Sequence, residues 1–427
     1  MNQNLKTRPV SDDLREVEPS AETMHPASIA GASSIGTLPK DDFDRDVWCV
    51  LGLPIDVVNI ETAAAKVVAA SRDGKRLSFV TPNVNILVAS HSDPSLRTKI
   101  IDSDLSLVDG APLVKIAAAS GVPIKARCAG SDVFDALKNR PGFAGRQIKV
   151  FFFGGRDGAA KAASAKLNKE KNGLVSVGYH NPGFGDIESM SSESVIEKIN
   201  EAAPDFIVVA LGFAKGQAWI DFNKDRLSAP VISHLGAVVD FAAGSIKRSP
   251  KWLSKIGGEW LWRIFQEPSL WQRYFKDGIA LSKLAWSLGF KPNKSLKIAA
   301  SEQNSAAIRI ENVSNSVVAR ISGEHNSGNV AEIRTTFRNL VTDVENIQSK
   351  EAIVLDLSDA TSLDASFWGM VLMLEKHASR MGIELVVAGT GDWVQKNLKK
   401  NRLPYRIVEV PSLPAEVAAG NGFAQAS

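Results

Sequence analysis

From Trp48 onward the sequence alternates short apolar runs with longer Ala-rich amphipathic stretches. That rhythm is the pattern of strand followed by helix, repeated. Strands are expected over residues 77–81, 105–108, 149–153, 174–177, 206–211 and 231–235, and helices over 60–71, 83–92, 111–120, 159–170, 194–202 and 218–227. Unbroken apolar strands between amphipathic helices build a mainly parallel sheet covered on both faces, so the expected fold class is α/β. In such sheets a ligand crevice opens beyond the carboxyl ends of the strands. The residues just after each strand are where chemistry is expected.

A chain of 427 residues is too long for one ordinary domain, and two folded domains with tails are expected. Fifty basic side chains against 47 acidic ones leave no global field of the kind that attracts nucleic acid, which is not an expected partner. Two cysteines, Cys49 and Cys128, are too few for a disulfide framework or a Cys-rich metal site and suit a reducing compartment. Residues 1–45 are rich in Ser, Pro, Glu and Asp and carry no apolar run, so a disordered tail is expected there, without the pattern of a signal peptide. The longest apolar stretches, over 148–153 and 206–213, fall far short of the ~20 residues a membrane-spanning helix needs.

The strand ends carry distinctive residues. Thr81-Pro82-Asn83-Val84-Asn85 follows the first strand, with Pro82 at an early helical position and short polar side chains suited to capping the turn or facing a ligand. The second is followed by Asp109-Gly110, where the lone carboxylate suits either an N-cap or a catalytic base. After the third comes Gly154-Gly155-Arg156-Asp157-Gly158, a tight turn whose backbone N–H groups could also cradle a diphosphate. It lacks the G-x-G-x-x-G rhythm, and no acidic residue closes the next strand, which argues against a nicotinamide oxidoreductase. The fifth and sixth strands are followed by Gly212-Phe213-Ala214-Lys215-Gly216-Gln217 and Gly236-Ala237-Val238-Val239-Asp240. Asp102-Ser103-Asp104 precedes a strand and is expected to be a helix-end or turn feature; no metal site is expected.

Residues 245–276 hold seven Lys or Arg against Glu259 and Glu267, together with four of the nine tryptophans. Basic side chains interleaved with Trp suit a helix in the interface of an anionic membrane, and equally an amphipathic helix packed on the α/β domain. Residues 279–304 lose periodicity and are expected to be a linker or trailing helix. A second α/β pattern follows, with strands over 306–310, 317–322, 352–356 and 383–388 and helices over 330–346, 366–381 and 392–401. His325 and His377 are expected to face solvent.

Taken in order, Thr81-Pro82-Asn83-Val84-Asn85, Val108-Asp109-Gly110, Arg127-Cys128-Ala129-Gly130-Ser131-Asp132, Phe153-Gly154-Gly155, Leu211-Gly212, Asp240-Phe241-Ala242-Ala243-Gly244, Arg248-Ser249-Pro250 and Glu259-Trp260-Leu261-Trp262-Arg263 resemble the WecG/TagA/CpsF glycosyltransferases. The resemblance covers about 48–278. It implies a Rossmann-like, mainly parallel domain and an inverting, metal-independent bacterial transferase with no cofactor. Such an enzyme moves a sugar from a UDP-sugar donor to a polyprenyl-diphosphate-linked saccharide acceptor in exopolysaccharide or surface polysaccharide assembly. It also implies a cytoplasmic location, peripheral on the inner face of the membrane. Asp109 matches the family's proposed base, with Thr81 and Asn83 beside it. Asn85, Arg127, Gly154, Gly155, Gly212, Gln217 and Asp240 are expected in substrate binding, as are Arg248, Arg263 and Arg273 of the basic appendage. One motif departs: the family's Leu-Gly-x-Pro-Lys-Gln-Glu places Gln where this chain has Gly216, so either Gln217 takes over the contact or the contact is absent.

The C-terminal unit, about 306–417, resembles a STAS domain through Val354-Leu355-Asp356-Leu357-Ser358 and Leu363-Asp364-Ala365-Ser366-Phe367-Trp368-Gly369. In that family the turn reads Asp-Ser-Ser-Gly and its serine is phosphorylated in regulatory members. Ser366 is the matching candidate, as a phosphorylation site or as an unmodified N-cap, in a module for regulation or docking of a protein partner. The expected organisation is a tail over 1–45, a transferase domain over 46–244, a membrane-associating appendage over 245–278, a linker over 279–304, the STAS-like domain over 305–418 and a tail over 419–427. A second reading from a different class is a catalytically impaired nucleotide-sugar-binding scaffold or sensor acting through the STAS-like module.

Overall fold

The computed structural model describes residues 41–170, 172–250, 253, 258–287, 306–343, 347–389 and 392–409. Residues 1–40 of the tail expected over 1–45, the terminal tail over 419–427, residues 288–304 of the expected linker, and Lys251, Trp252 and Lys255 of the basic segment lie outside the described residues.

The six expected strands form one parallel sheet: β3 (Leu77–Val80), β4 (Leu105–Ser106), β5 (Ile148–Gly154), β6 (Leu174–His180), β7 (Phe206–Ala210) and β8 (Val231–His234), in the order β4-β3-β8-β7-β5-β6. An antiparallel hairpin of β1 (Val47–Val50) and β2 (Leu53–Asp56) precedes it. The strands are apolar throughout because both faces are covered. Phe152 and Val208 meet the helices Ile60–Asp73, Gly130–Lys138, Ala159–Glu170 and Gly236–Ala243, while Phe151, Phe153, Ile207 and Val209 meet Glu193–Glu201 and Phe213–Asn223. Adjacent residues thus enter opposite cores, as the two-residue period of a strand requires.

The second sheet runs β13-β12-β11-β10-β9, from β9 (Ala307–Val313), β10 (Ser316–His325), β11 (Ala352–Leu363), β12 (Glu384–Ala388) and β13 (Ile407–Val408); only β9 and β10 pair antiparallel. Its central helix, Ala365–Arg380, is buried on nearly every side. That is how a helix reads when two partners share it. One side lies on its own sheet and the other on β1, where a Cβ built on Gly369 would fall 2.0 Å from the Val47 carbonyl oxygen. Only glycine permits that approach.

Two expectations fail here. Residues 41–45 were assigned to the tail, yet Asp42 and Phe43 are buried, Phe43 within the core of the second sheet. His377, expected in solvent, is buried against the Phe43 ring, and His325 is buried with Nε2 2.9 Å from the Ser322 carbonyl oxygen. The junction also contains the Lys376 ammonium, fully enclosed, donating to Asp42 (2.9 Å) and to the Ser103 carbonyl (3.1 Å). Arg45 joins Asp42 to Asp56 from the other side, and Arg97 grips Glu375 through two nitrogens. The two α/β units therefore share a packed, ion-paired boundary.

Candidate functional site

The carboxyl ends of β3, β4, β7 and β8 surround a cavity of about 1250 Å³, above the ~300–1,000 Å³ of an ordinary small-ligand site. Thr81, Asn83 and Asn85 line it after β3, Asp109 after β4, Gly212 and Phe213 after β7, and His234 to Val238 from β8 onward. Arg127 and Ala129 to Ser131 also border it, and a further wall comes from two helices of the basic segment, Glu259–Gln266 and Leu270–Ser287, through Trp260, Arg263, Trp271, Arg273, Tyr274 and Asp277. Residues 279–287, expected as linker or trailing helix, continue the second of these.

Asp109 sits where the helix Ala111–Ala119 begins but does not cap it. Gly110 is the N-cap, and no side chain bonds that end. The Asp109 backbone N–H is fixed by the Pro82 carbonyl at 2.8 Å, which holds the loops after β3 and β4 together. Loss of water raises the Asp109 carboxyl from 3.8 to about 7. Arg127 pulls against that rise, and Glu259 and Asp132 add to it. A carboxylate set in this way is half-ionised near neutrality, which suits proton abstraction.

The polar neighbours divide their duties. Asn83 caps the helix Val84–Ser92 through Ile86 N–H (3.1 Å) while facing the cavity. Asn85 donates to Asp277 (3.0 Å), and Arg127 bonds both Glu259 and Asp132 (3.2 Å), so each fastens the two-helix wall or the floor beneath it. Arg263 is tied to Glu267 (2.9 Å), whereas Arg273 lies 5.1 Å over the Tyr274 ring and forms no ion pair among the described residues. Leu261 and Phe265 of this wall are exposed and do not line the cavity, Phe265 by 80%; Trp271 and Phe275, which do line it, are exposed as well. No described helix is long and apolar enough to cross a membrane.

The segment over 48–295 matches the family model for the glycosyl transferase WecG/TagA/CpsF family, more than half of the chain. The chain belongs to this glycosyltransferase family. The STAS family model matches 307–407, so the WecG/TagA/CpsF transferase carries a STAS domain behind it. Similar curated relatives are N-acetylglucosaminyldiphosphoundecaprenol N-acetyl-beta-D-mannosaminyltransferases. That of Bacillus spizizenii is 26% identical over 46% of this chain and 73% of its own length. That of Bacillus subtilis is 27% identical over 45% and 73%. A Staphylococcus aureus relative is 26% identical over 48% and 76%.

Five of the residues expected in substrate binding do not line this cavity. Gly154 and Gly155 line neither this cavity nor a smaller one nearby, because β8 and β7 separate β5 from β3. The Gly155 N–H is already given to the Ala210 carbonyl at 2.7 Å, and a Cβ on Gly154 would meet that oxygen at 2.6 Å, so the turn serves packing. Arg248 borders the smaller cavity, of about 420 Å³, and is held by Asp132 (2.6 Å) and Asp135 (2.8 Å). Asp240 belongs to the helix Gly236–Ala243, whose Ala237, Val238 and Phe241 face the main cavity while Asp240 does not line it. Gln217 is buried inside the helix Phe213–Asn223, which begins earlier than expected, and lies off the cavity wall.

Ser366 is likewise displaced from its expected setting. The cap of its helix is Asp364, which accepts from Ser366 N–H (2.8 Å) and Phe367 N–H (3.1 Å). Ser366 itself is 2% exposed and donates its hydroxyl to the same carboxylate. Phosphorylation would therefore require this end of the helix to open. Asp102 ends the helix Pro94–Asp102 and pairs with Arg380 (3.1 Å), and Asp104 accepts from Ser78 N–H (2.7 Å). Among the described residues no three metal-ligating side chains gather. The sequence pattern gives no role to His234, the last residue of β8, or to Glu259, part of a basic-segment motif; both line the cavity.

Proposed function

We propose that the cavity transfers a sugar, with inversion, from a UDP-sugar to a hydroxyl of a polyprenyl-diphosphate-linked saccharide, in the assembly of a bacterial exopolysaccharide or other surface polysaccharide. Asp109 carries the reading: a carboxyl at the tip of β4, facing the cavity, free of capping duty and raised toward neutrality. As base it takes the acceptor hydroxyl proton while that oxygen attacks the anomeric carbon. The bond from that carbon to the donor phosphate oxygen breaks, and UDP departs with the electron pair. Arg273, free of ion pairing among the described residues, and Arg263 and Arg127 supply positive charge to the leaving diphosphate. Thr81 and Asn83 flank the base and position the acceptor.

The relatives' names describe transfer to a lipid-diphosphate-linked N-acetylglucosamine, which supports an acceptor of the same class here. Such a substrate lies at a membrane, and the exposed aromatic and basic outer wall suits a peripheral position on its cytoplasmic face. The STAS domain, fastened to the transferase by the central helix, is read as a regulatory or docking module.

The test is UDP release from a panel of UDP-sugars with a polyprenyl-diphosphate-linked N-acetylglucosamine acceptor. Asp109→Asn is expected to lower turnover at least a thousandfold with donor binding kept, and EDTA to leave the wild-type rate intact. Near-native turnover by the variant would remove Asp109 as base. Loss of rate in EDTA, restored by Mg²⁺ or Mn²⁺, would overturn the metal-independent step.

A further inference from the structure

The departure at Gly216 has a spatial counterpart. A Cβ built on Gly216 would fall 2.2 Å from Cδ2 of His234 and 3.1 Å from its Nε2. No side chain at 216 can coexist with the imidazole in this position. The ring occupies the space that opens when the family's Gln is absent, and it arrives from the end of β8 instead of from the helix. Gly236 completes its seat, with a Cβ position 3.5 Å from Nε2, and the Phe213 ring meets it edge-on at 84°. His234 lines the main cavity, and its Nε2 is buried with no hydrogen-bond partner. A buried polar atom without a partner carries a penalty that a ligand bond would remove.

We propose that His234 is a specificity-determining residue of the donor site, bonding an uncharged hydroxyl or amide of the sugar nucleotide where the family's motif places Gln. This rests on the donor reading above and deepens it. Burial pushes His234 down to about 4, so near neutrality the ring is an imidazole with one donor and one acceptor nitrogen. That inventory matches Gln, which also offers an uncharged donor and acceptor, and it does not favour a phosphate. Gln217 is buried and, unlike His234, does not line the cavity wall.

The experiment is calorimetric titration of the full chain, without acceptor, using UDP and a panel of UDP-hexoses and UDP-N-acetylhexosamines. His234→Phe keeps a flat ring against Phe213 and deletes both nitrogens. It is expected to weaken binding roughly tenfold to hundredfold. A loss seen equally with UDP places the partner on the nucleoside, and a loss confined to UDP-sugars places it on the sugar; either supports the proposal. The exchange variant Gly216→Gln with His234→Gly returns the Gln and clears its space. It should recover at least part of the lost affinity, which also covers a His234→Phe chain that fails to fold. Native affinity in His234→Phe, or no recovery in a folded exchange variant, overturns the role of His234 alone. Absence of binding by the wild type to every UDP compound would overturn the donor reading together with it.

Discussion

Asp109→Asn should make the protein more stable as well as inactive, and the gain should depend on pH in one direction. Burial raises the Asp109 carboxyl from 3.8 to about 7. The folded state therefore holds that proton more tightly than the unfolded chain. The stability linked to this site is fully present below the unfolded value, and it is lost as pH rises through the folded one. At about 1.4 kcal/mol per unit the full loss approaches ~4 kcal/mol. Asp109 keeps some exposure to the cavity, so a loss of roughly 2–4 kcal/mol by pH 8 is expected. Asparagine has nearly the same shape and does not ionise. Urea denaturation of both proteins at pH 4.5, 6 and 8 should then show similar midpoints at the lowest pH, with the variant pulling ahead as pH rises. Other titrating groups are common to both chains and cancel. A gap that stays constant from pH 4.5 to 8, or a wild type more stable at pH 8, would refute the assignment of a raised carboxyl. In the same pH range, wild-type turnover limited by this base should climb toward a plateau above about pH 7.

Two further outcomes follow from the junction and the outer wall. Lys376→Met leaves Asp42 enclosed with one cationic partner fewer and should cost about 3 kcal/mol; an unchanged melting temperature would show the buried pair to be dispensable. Leu261→Asp with Phe265→Asp should lower partitioning into anionic vesicles at least tenfold while the circular dichroism spectrum stays native, since both side chains are exposed and neither lines the cavity. Undiminished vesicle binding would reject this face as the membrane contact.

Local pattern determined the elements. Apolar runs with helical stretches between them announced a parallel sheet because strands buried on both faces cannot alternate, and the rule that chemistry follows strand ends reached Thr81, Asn83, Asp109 and Gly212. The same rule stopped short at His234 because it is the last residue of β8 itself, inside the strand and not in the loop after it. Strand order, which no local pattern encodes, decided the rest: with β8 beside β3 and β5 further out, Gly154 and Gly155 became a packing turn and His234 a cavity wall.

Contacts between residues hundreds of positions apart were equally beyond reach. Phe43 and His377 are buried against each other although they stand more than 300 positions apart, where the segment before β1 lies against the helix Ala365–Arg380. The Asp109 carboxyl is raised by burial in the crevice, and Glu259, far away in the chain, adds to the rise. Sequence specifies which residues are able to do chemistry and which segments repeat; the long-range packing of strands and helices sets the distances, the dryness and the neighbours on which that chemistry depends.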